Sequence, residues 1–182
     1  MNKGITVVTV SYNAKDLISR TIQSVINQTY KNLEYIIIDG GSNDGTIDII
    51  KSYASRITCW ISEKDNGIYD AMNKGINMAH NEWIIFMNCG DFFYANEVLE
   101  DVSRFLNDNV DIVYGNSLIK VNATKFVVLP EDLRMISKHL PFCHQCVFTR
   151  TELIKEFNFN LNYKYEETLQ ILHNTNFYLR TL

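Results

Sequence analysis

Four apolar, largely β-branched runs, each separated from the next by one helical stripe, constrain this chain more than any other feature. Ile5-Thr6-Val7-Val8-Thr9-Val10-Ser11, Leu33 to Ile38, Ile57 to Ile61 and Trp83-Ile84-Ile85-Phe86-Met87 read as buried strands. Between the first two, Ala14, Leu17, Ile18, Thr21, Ile22, Val25 and Ile26 line one helical face. Ile47, Ile50, Tyr53 and Ala54 form a second stripe, and Ile68, Ala71, Met72, Gly75, Ile76 and Ala79 a third. Asn13 is placed to cap the first helix, with Asp16 as its capping-box partner. Strictly alternating strands and helices with short connections predict a mostly parallel α/β sheet with right-handed crossovers.

Beyond Asp91 the rhythm changes. Asn96 is expected to cap a helix carrying Val98, Leu99, Val102, Phe105 and Leu106. Asp111 to Tyr114, Leu118 to Val121 and Phe126 to Leu129 read as strands, the first two around the Gly115-Asn116-Ser117 turn. Pro130 and Pro141 bracket a polar segment expected to be helical. Gln145 to Thr149 reads as a strand, and a helix starts at Thr151. From Asn158 to Leu182 no period is sustained. With no linker or repeat, the 182 residues are expected to form a single domain, residues 1–94 being one half and 95–182 the other.

The net charge of −4 and the lack of any Lys/Arg cluster argue against a nucleic-acid partner. No run reaches transmembrane length, and Met1 to Val10 lacks the apolar core of a signal peptide, so a cytoplasmic protein with reduced thiols is expected. Cys143-His144-Gln145-Cys146 has C-x-x-C spacing, but no second pair accompanies it and a strand, not a helix, follows. Reduced structural cysteines are the expectation.

Three strand ends fall on one edge of such a sheet: Thr9 to Asn13, Asp39 to Thr46, and Asn88 to Asp91. Ligands of open α/β sheets bind beyond the carboxyl ends of the strands. Tyr12 is a flat ring that can stack on a base, and Asp39 can accept a hydrogen bond from a base or ribose. Gly40, Gly41 and Gly45 let the backbone approach a ligand closely. Asp91 is a carboxylate able to hold a metal ion. Together these predict a nucleotide site, and the absence of G-x-G-x-x-G after the first strand excludes the dinucleotide type.

The ordered series T-V-S-Y-N, I-I-D-G-G-S-N-D-G-T, S-E-K-D-N-G-I-Y-D-A-M-N-K-G-I, W-I-I-F-M-N-C-G-D-F-F and P-F-C-H-Q-C-V-F-T-R closely resembles the family-2 glycosyltransferases. The likeness is strongest to the branch that builds bacterial surface polysaccharides. It implies a GT-A, Rossmann-like fold and inverting transfer from a nucleotide-diphosphate sugar, UDP-linked by preference, to a saccharide or lipid-linked acceptor. Peripheral membrane association is compatible with such an acceptor. By the same resemblance Thr9 and Tyr12 line the base and Asp39 contacts base or ribose. Asp65, Asn66 and Gly67 lie along the donor with Asn73 behind them, and His144 and Gln145 face the diphosphate or acceptor. Asn88-Cys89-Gly90-Asp91 stands at the family's D-x-D position. Two of its usual acids are replaced, leaving Asp91 to hold Mn²⁺ or Mg²⁺.

The chain departs from the family pattern after the H-Q segment. Inverting transfer needs a general base for the acceptor hydroxyl. Where the family's Asp or Glu is expected, Asn162 to Leu169 offers Glu166 and Glu167 as the candidate base. The alternative is a nucleotide-sugar-binding protein whose transfer activity was lost through C-terminal truncation or divergence.

Overall fold

The computed structural model describes residues 3–121, 124–131, 143–159 and 179–181. Its first part follows the alternating pattern: β1 (Ile5–Ser11), α1 (Lys15–Ile26), β2 (Leu33–Asp39), α2 (Thr46–Ser52), β3 (Cys59–Ser62), α3 (Ile68–Met78) and β4 (Trp83–Phe86). Then come α4 (Val98–Ser103), β5 (Ile112–Tyr114), the hairpin β6 (Ser117–Val121) and β7 (Thr124–Val128), β8 (Val147–Arg150), α5 (Thr151–Phe157) and β9 (Leu179–Thr181). A seven-stranded sheet has the order β3-β2-β1-β4-β8-β5-β9, and β6-β7 forms a separate two-stranded sheet. β8 pairs antiparallel with both β4 and β5, and the other pairings in the large sheet are parallel.

Strand alternation sends the apolar side chains into two cores. Ile5, Val7, Ile37 and Ile85 pack on one face with Ile18, Ile22 and Val25 of α1, Ile50 of α2 and Leu99 of α4. Val8, Val10, Ile36, Ile38, Ile84 and Phe86 pack on the other with Ala71, Met72 and Ile76 of α3. Both faces of the parallel strands are therefore covered, as their near-continuous apolar composition requires. At Gly75 the helix lies so close to β1 that a Cβ would come within 2.4 Å of Val8 Cγ1. Among the described residues no helix is long and apolar enough to cross a membrane.

Three expectations change. Asn13 does not cap α1: its φ is +45° and the helix has no side-chain cap of its own. The loop after β2 supplies the caps instead. Ser42 Oγ, Thr46 Oγ1 and Asp44 Oδ2 accept the N–H groups of Asn13, Ala14 and Lys15 at 2.8, 2.8 and 3.0 Å. Asn96 likewise gives α4 no side-chain cap; its carbonyl accepts the Thr29 N–H, and Gln28 Oε1 accepts the Leu99 N–H. Residues 144–146 form a 3₁₀ turn rather than the start of a strand, and β9 was not anticipated. The segment between Pro130 and Pro141 lies mostly outside the described residues.

Candidate functional site

The strand order reverses between β1 and β4, so the switch point of the sheet lies at their adjoining carboxyl ends. The chain after β4 keeps to β1 for three more residues, with Met87 N–H donating to Val8 O and Cys89 N–H to Val10 O. This carries the Asn88-to-Asp91 turn past the end of β1. Because β8 runs antiparallel beside β4, its entry turn, residues 144–146, arrives at the same edge. At the far end of that pair Arg150 is tied to Glu82 at 2.6 Å and to the Asn107 carbonyl at 2.7 Å, with its guanidinium 4.9 Å from the centre of the Trp83 ring. Tyr12, Asp39, Asp91, His144 and Gln145 are thus brought to one edge of the sheet.

Asp39 is fully buried and is the hub of the β2 loop. Its carboxylate accepts Ser11 Oγ at 3.0 Å, Gly41 N–H at 3.1 Å, Ser42 N–H at 2.9 Å, Ser42 Oγ at 2.5 Å and Ser62 Oγ at 2.7 Å. A contact from Asp39 to base or ribose would require one of these donors to give way. Thr9 is equally buried, and its hydroxyl is paired at 3.1 Å with the Tyr35 hydroxyl beneath α1. The structure therefore sets Thr9 in the core behind the site rather than against a ligand.

Tyr12, by contrast, is 65% exposed. A Cβ on Gly40 would stand 2.6 Å from Asp65 Oδ2 and 3.3 Å from Tyr12 Cδ2. Bare backbone therefore separates the ring from the carboxylate, and only glycine fits between them. The half-buried Asp65 also accepts the Gly67 N–H at 3.0 Å, and Asp70 accepts the Asn66 N–H at 2.9 Å, which orders the 65–67 turn. Asn73 faces elsewhere. Its amide donates to the Phe159 carbonyl at 2.7 Å and accepts the Phe159 N–H at 2.8 Å. The Phe159 ring stacks on Tyr69 and meets Phe86 edge-on. Asn73 thus fastens the segment after α5 to α3, a different role from the donor contact expected of it.

At the β4 end, Asp91 Oδ2 accepts Gln145 Nε2 at 2.9 Å. The Asn88 amide nitrogen lies 3.1 Å from His144 Nε2, while Asn88 Oδ1 is buried with no hydrogen-bond partner among the described residues. Burial lowers the His144 pKa, partly offset by the Asp91 charge, so the imidazole is neutral at pH 7. Neutral Nε2 accepts from the amide. An amide oxygen without a partner, three residues before a carboxylate in the same turn, offers hard oxygen donors of the kind that suit a Mn²⁺ or Mg²⁺ ion. Among the described residues no three His, Cys, Asp or Glu side chains converge on a metal position. Burial pushes the Cys89 thiol up to about 11, which keeps it an inert thiol.

Sequence reasoning missed the serines around Asp39. A serine at the end of β1, in the β2 loop and at the end of β3 was the available signal. Glu166 and Glu167 lie outside the described residues.

The fold and this edge define a GT-A protein. The sequence matches the family described as Glycosyl transferase family 2 over residues 6–180, and the chain belongs to that family. It is 31% identical over 181 residues to Escherichia coli WfgD, a "UDP-Glc:alpha-D-GlcNAc-diphosphoundecaprenol beta-1,3-glucosyltransferase", covering 94% of this chain and 71% of the relative. It is 28% identical over 158 residues to a Mycobacterium bovis PGL/p-HBAD biosynthesis glycosyltransferase, covering 84% of this chain and 61% of that protein. Among solved structures, S. aureus TarS 1–349 superposes with a TM-score of 0.79 at 21% identity, over 98% of this chain and 58% of that one. A Pyrobaculum calidifontis mannosyltransferase, solved with GDP-Man and Mn²⁺, gives 0.70 at 19% identity, over 92% and 50%. The chain thus spans about three fifths of the length of the mycobacterial relatives it matches.

Proposed function

We propose that this protein is an inverting, nucleotide-sugar-dependent glycosyltransferase of polysaccharide biosynthesis, acting in the cytoplasm. Its acceptor is a saccharide or lipid-linked saccharide. Residues 1–94 form the donor-binding half and residues 95–182 belong to the acceptor side. The base stacks on Tyr12, and Asp65, across Gly40, accepts a hydrogen bond from base or ribose. The 65–67 turn follows the donor, and His144 and Gln145 flank its diphosphate. Asp91 and Asn88 hold the divalent ion, which when bound supplies positive charge to the departing nucleoside diphosphate. Glu166 or Glu167 takes the acceptor proton. Uridine is the favoured base, in keeping with the UDP-Glc donor in the name of WfgD.

The observation that carries this proposal is the Asn88 oxygen, unpartnered among the described residues, in the turn that holds Asp91 at the switch point of the sheet, on the same edge as the Tyr12–Gly40–Asp65 cradle. Calorimetric titration of UDP and GDP, with Mn²⁺ and then with chelator, tests it. Mn²⁺ should strengthen binding, and Asp91→Asn should remove that gain, a change of about tenfold or more. Equal affinity with ion and with chelator in the unmodified protein would sink the metal role. A mass-resolved screen of nucleotide sugars would then identify the donor.

A further inference from the structure

Asp91 sits in a turn with little internal support. Cys89 N–H donates to Val10 O of β1 and Asp91 N–H to the Asn88 carbonyl, and beyond Cys89 the Gly90–Asp91 backbone is held by α1. Thr21 is fully buried, and its hydroxyl is used in both directions within one turn. It donates to the Asp91 carbonyl at 2.8 Å and accepts the Gly90 N–H at 3.0 Å. Gly90 holds φ at +103°, a left-handed conformation that reverses the chain just before the acid. The pattern continues at Ser24, one turn on, and at Gln28, just past the end of the helix. Ser24 Oγ accepts the Phe93 N–H at 3.3 Å. Gln28 donates to the Ala95 carbonyl at 2.8 Å and accepts the Leu99 N–H at 3.0 Å. Residues 21, 24 and 28 therefore form a polar ladder inside an otherwise apolar stripe, and the chain from Gly90 to Leu99 is laced to it.

We infer that Thr21 is a positioning residue for the metal-holding acid: its hydroxyl fixes the Gly90–Asp91 backbone and thereby sets the direction of the Asp91 carboxylate, which meets Gln145 Nε2 at 2.9 Å. This rests on the metal role of Asp91 proposed above. The lower rungs, Ser24 and Gln28, hold the rest of the segment against α1 and contribute stability without aiming the acid. A hydroxyl is needed at position 21 because the turn presents an N–H and a carbonyl to the same atom, and a hydroxyl can both donate and accept. Groups that orient a metal ligand without touching the metal typically contribute 10–100-fold in metal affinity.

The test compares Thr21→Val with Thr21→Ser and with Gln28→Leu. Mn²⁺ binding is read by the loss of the free-ion electron paramagnetic resonance signal in the presence of UDP. Uridine binding in chelator is read by calorimetry, and stability by urea unfolding. Thr21→Val should weaken Mn²⁺ binding about 10–100-fold and leave uridine binding unchanged, and Thr21→Ser should restore wild-type Mn²⁺ affinity. Gln28→Leu should lower stability without changing Mn²⁺ affinity. If Thr21→Val does not fold, Thr21→Ala removes the same two hydrogen bonds and is read in its place. Unchanged Mn²⁺ affinity in the valine or alanine variant would overturn the inference. So would losses in Thr21 and Gln28 variants that simply track stability. A wild-type protein that binds no Mn²⁺ would instead refute the metal role, a different failure.

Discussion

The loop after β2 and the loop after β4 sit side by side on the same edge and are built in opposite ways. The first is saturated. Asp39 alone accepts five hydrogen bonds from Ser11, Gly41, Ser42 and Ser62, and the loop caps α1 through Ser42, Asp44 and Thr46. The second is left incomplete, with a buried amide oxygen unpartnered among the described residues and an acid steadied from outside by Thr21 and Gln145. Buried polar atoms are normally satisfied, so an orphan calls for an explanation, and at Asn88 the proposed one is the cation. The contrast separates two tasks. On the proposed function, the β2 loop would present a preformed platform for Tyr12 and Gly40, and the β4 loop would take the cation and the donor phosphates.

The sharpest break of this comparison is Asp39→Ala. It strands several buried donors at once, each costing about 1–3 kcal/mol if left unsatisfied. Urea unfolding should show a loss of about 3 kcal/mol or more, with nucleotide affinity falling as the platform loosens. A loss below about 1 kcal/mol would mean that the loop is held by its backbone and not by Asp39.

Tyr12→Ala separates platform from ligand. The ring is largely exposed, so stability should change by no more than about 0.5 kcal/mol. UDP binding should weaken by about 1–3 kcal/mol, the usual contribution of a stacked base. Calorimetry paired with thermal unfolding measures both. Unchanged UDP affinity would remove Tyr12 from the site and leave Gly40 without its proposed purpose.

The architecture was legible because residues 5–87 repeat a physical pattern. Strands buried on both faces must be apolar throughout, and the helices between them must each carry a stripe. That pattern also located the strand ends, and with them Tyr12, Asp39 and Asp91, whereas Asp65 came from the family resemblance. Roles inside the loops were less legible, because they depend on partners far away in sequence. Asn13 looks like a cap, yet the caps of α1 come from residues about thirty positions on, and Asn13 Oδ1 instead accepts the Asn43 N–H at 3.0 Å. Asn73 looks like a donor ligand within its motif, but Phe159 claims its amide. Thr21 hides in an apolar stripe because a β-branched side chain packs there as well as valine would. The antiparallel direction of β8 follows from pairings with β4 and β5 that its four residues do not announce.

The smallest expected effect concerns how the saturated loop responds to acid. Asp44 accepts the Thr46 hydroxyl at 2.6 Å, the Lys15 N–H at 3.0 Å and the Thr46 N–H at 2.9 Å. The Thr46 hydroxyl foremost, and then the backbone N–H groups, favour the charged form and lower the Asp44 pKa from 3.8 to about 2. A carboxyl group whose folded pKa is depressed contributes stability that is fully present above its unfolded pKa. That contribution is lost as the pH falls toward the folded value, because the unfolded chain takes up the proton first. The window is therefore from about pH 4 down to about pH 2. Asp44→Asn keeps an acceptor in place but removes the titration. The stability difference between wild type and Asp44→Asn should be constant near pH 5 to 7 and should shrink steadily below about pH 4. Solvent at this exposed site keeps the difference small, so urea midpoints at closely spaced pH values are the right measurement. Curves that stay parallel down to about pH 3 would show that charge on Asp44 adds nothing to the cap, and that geometry alone joins the β2 loop to α1.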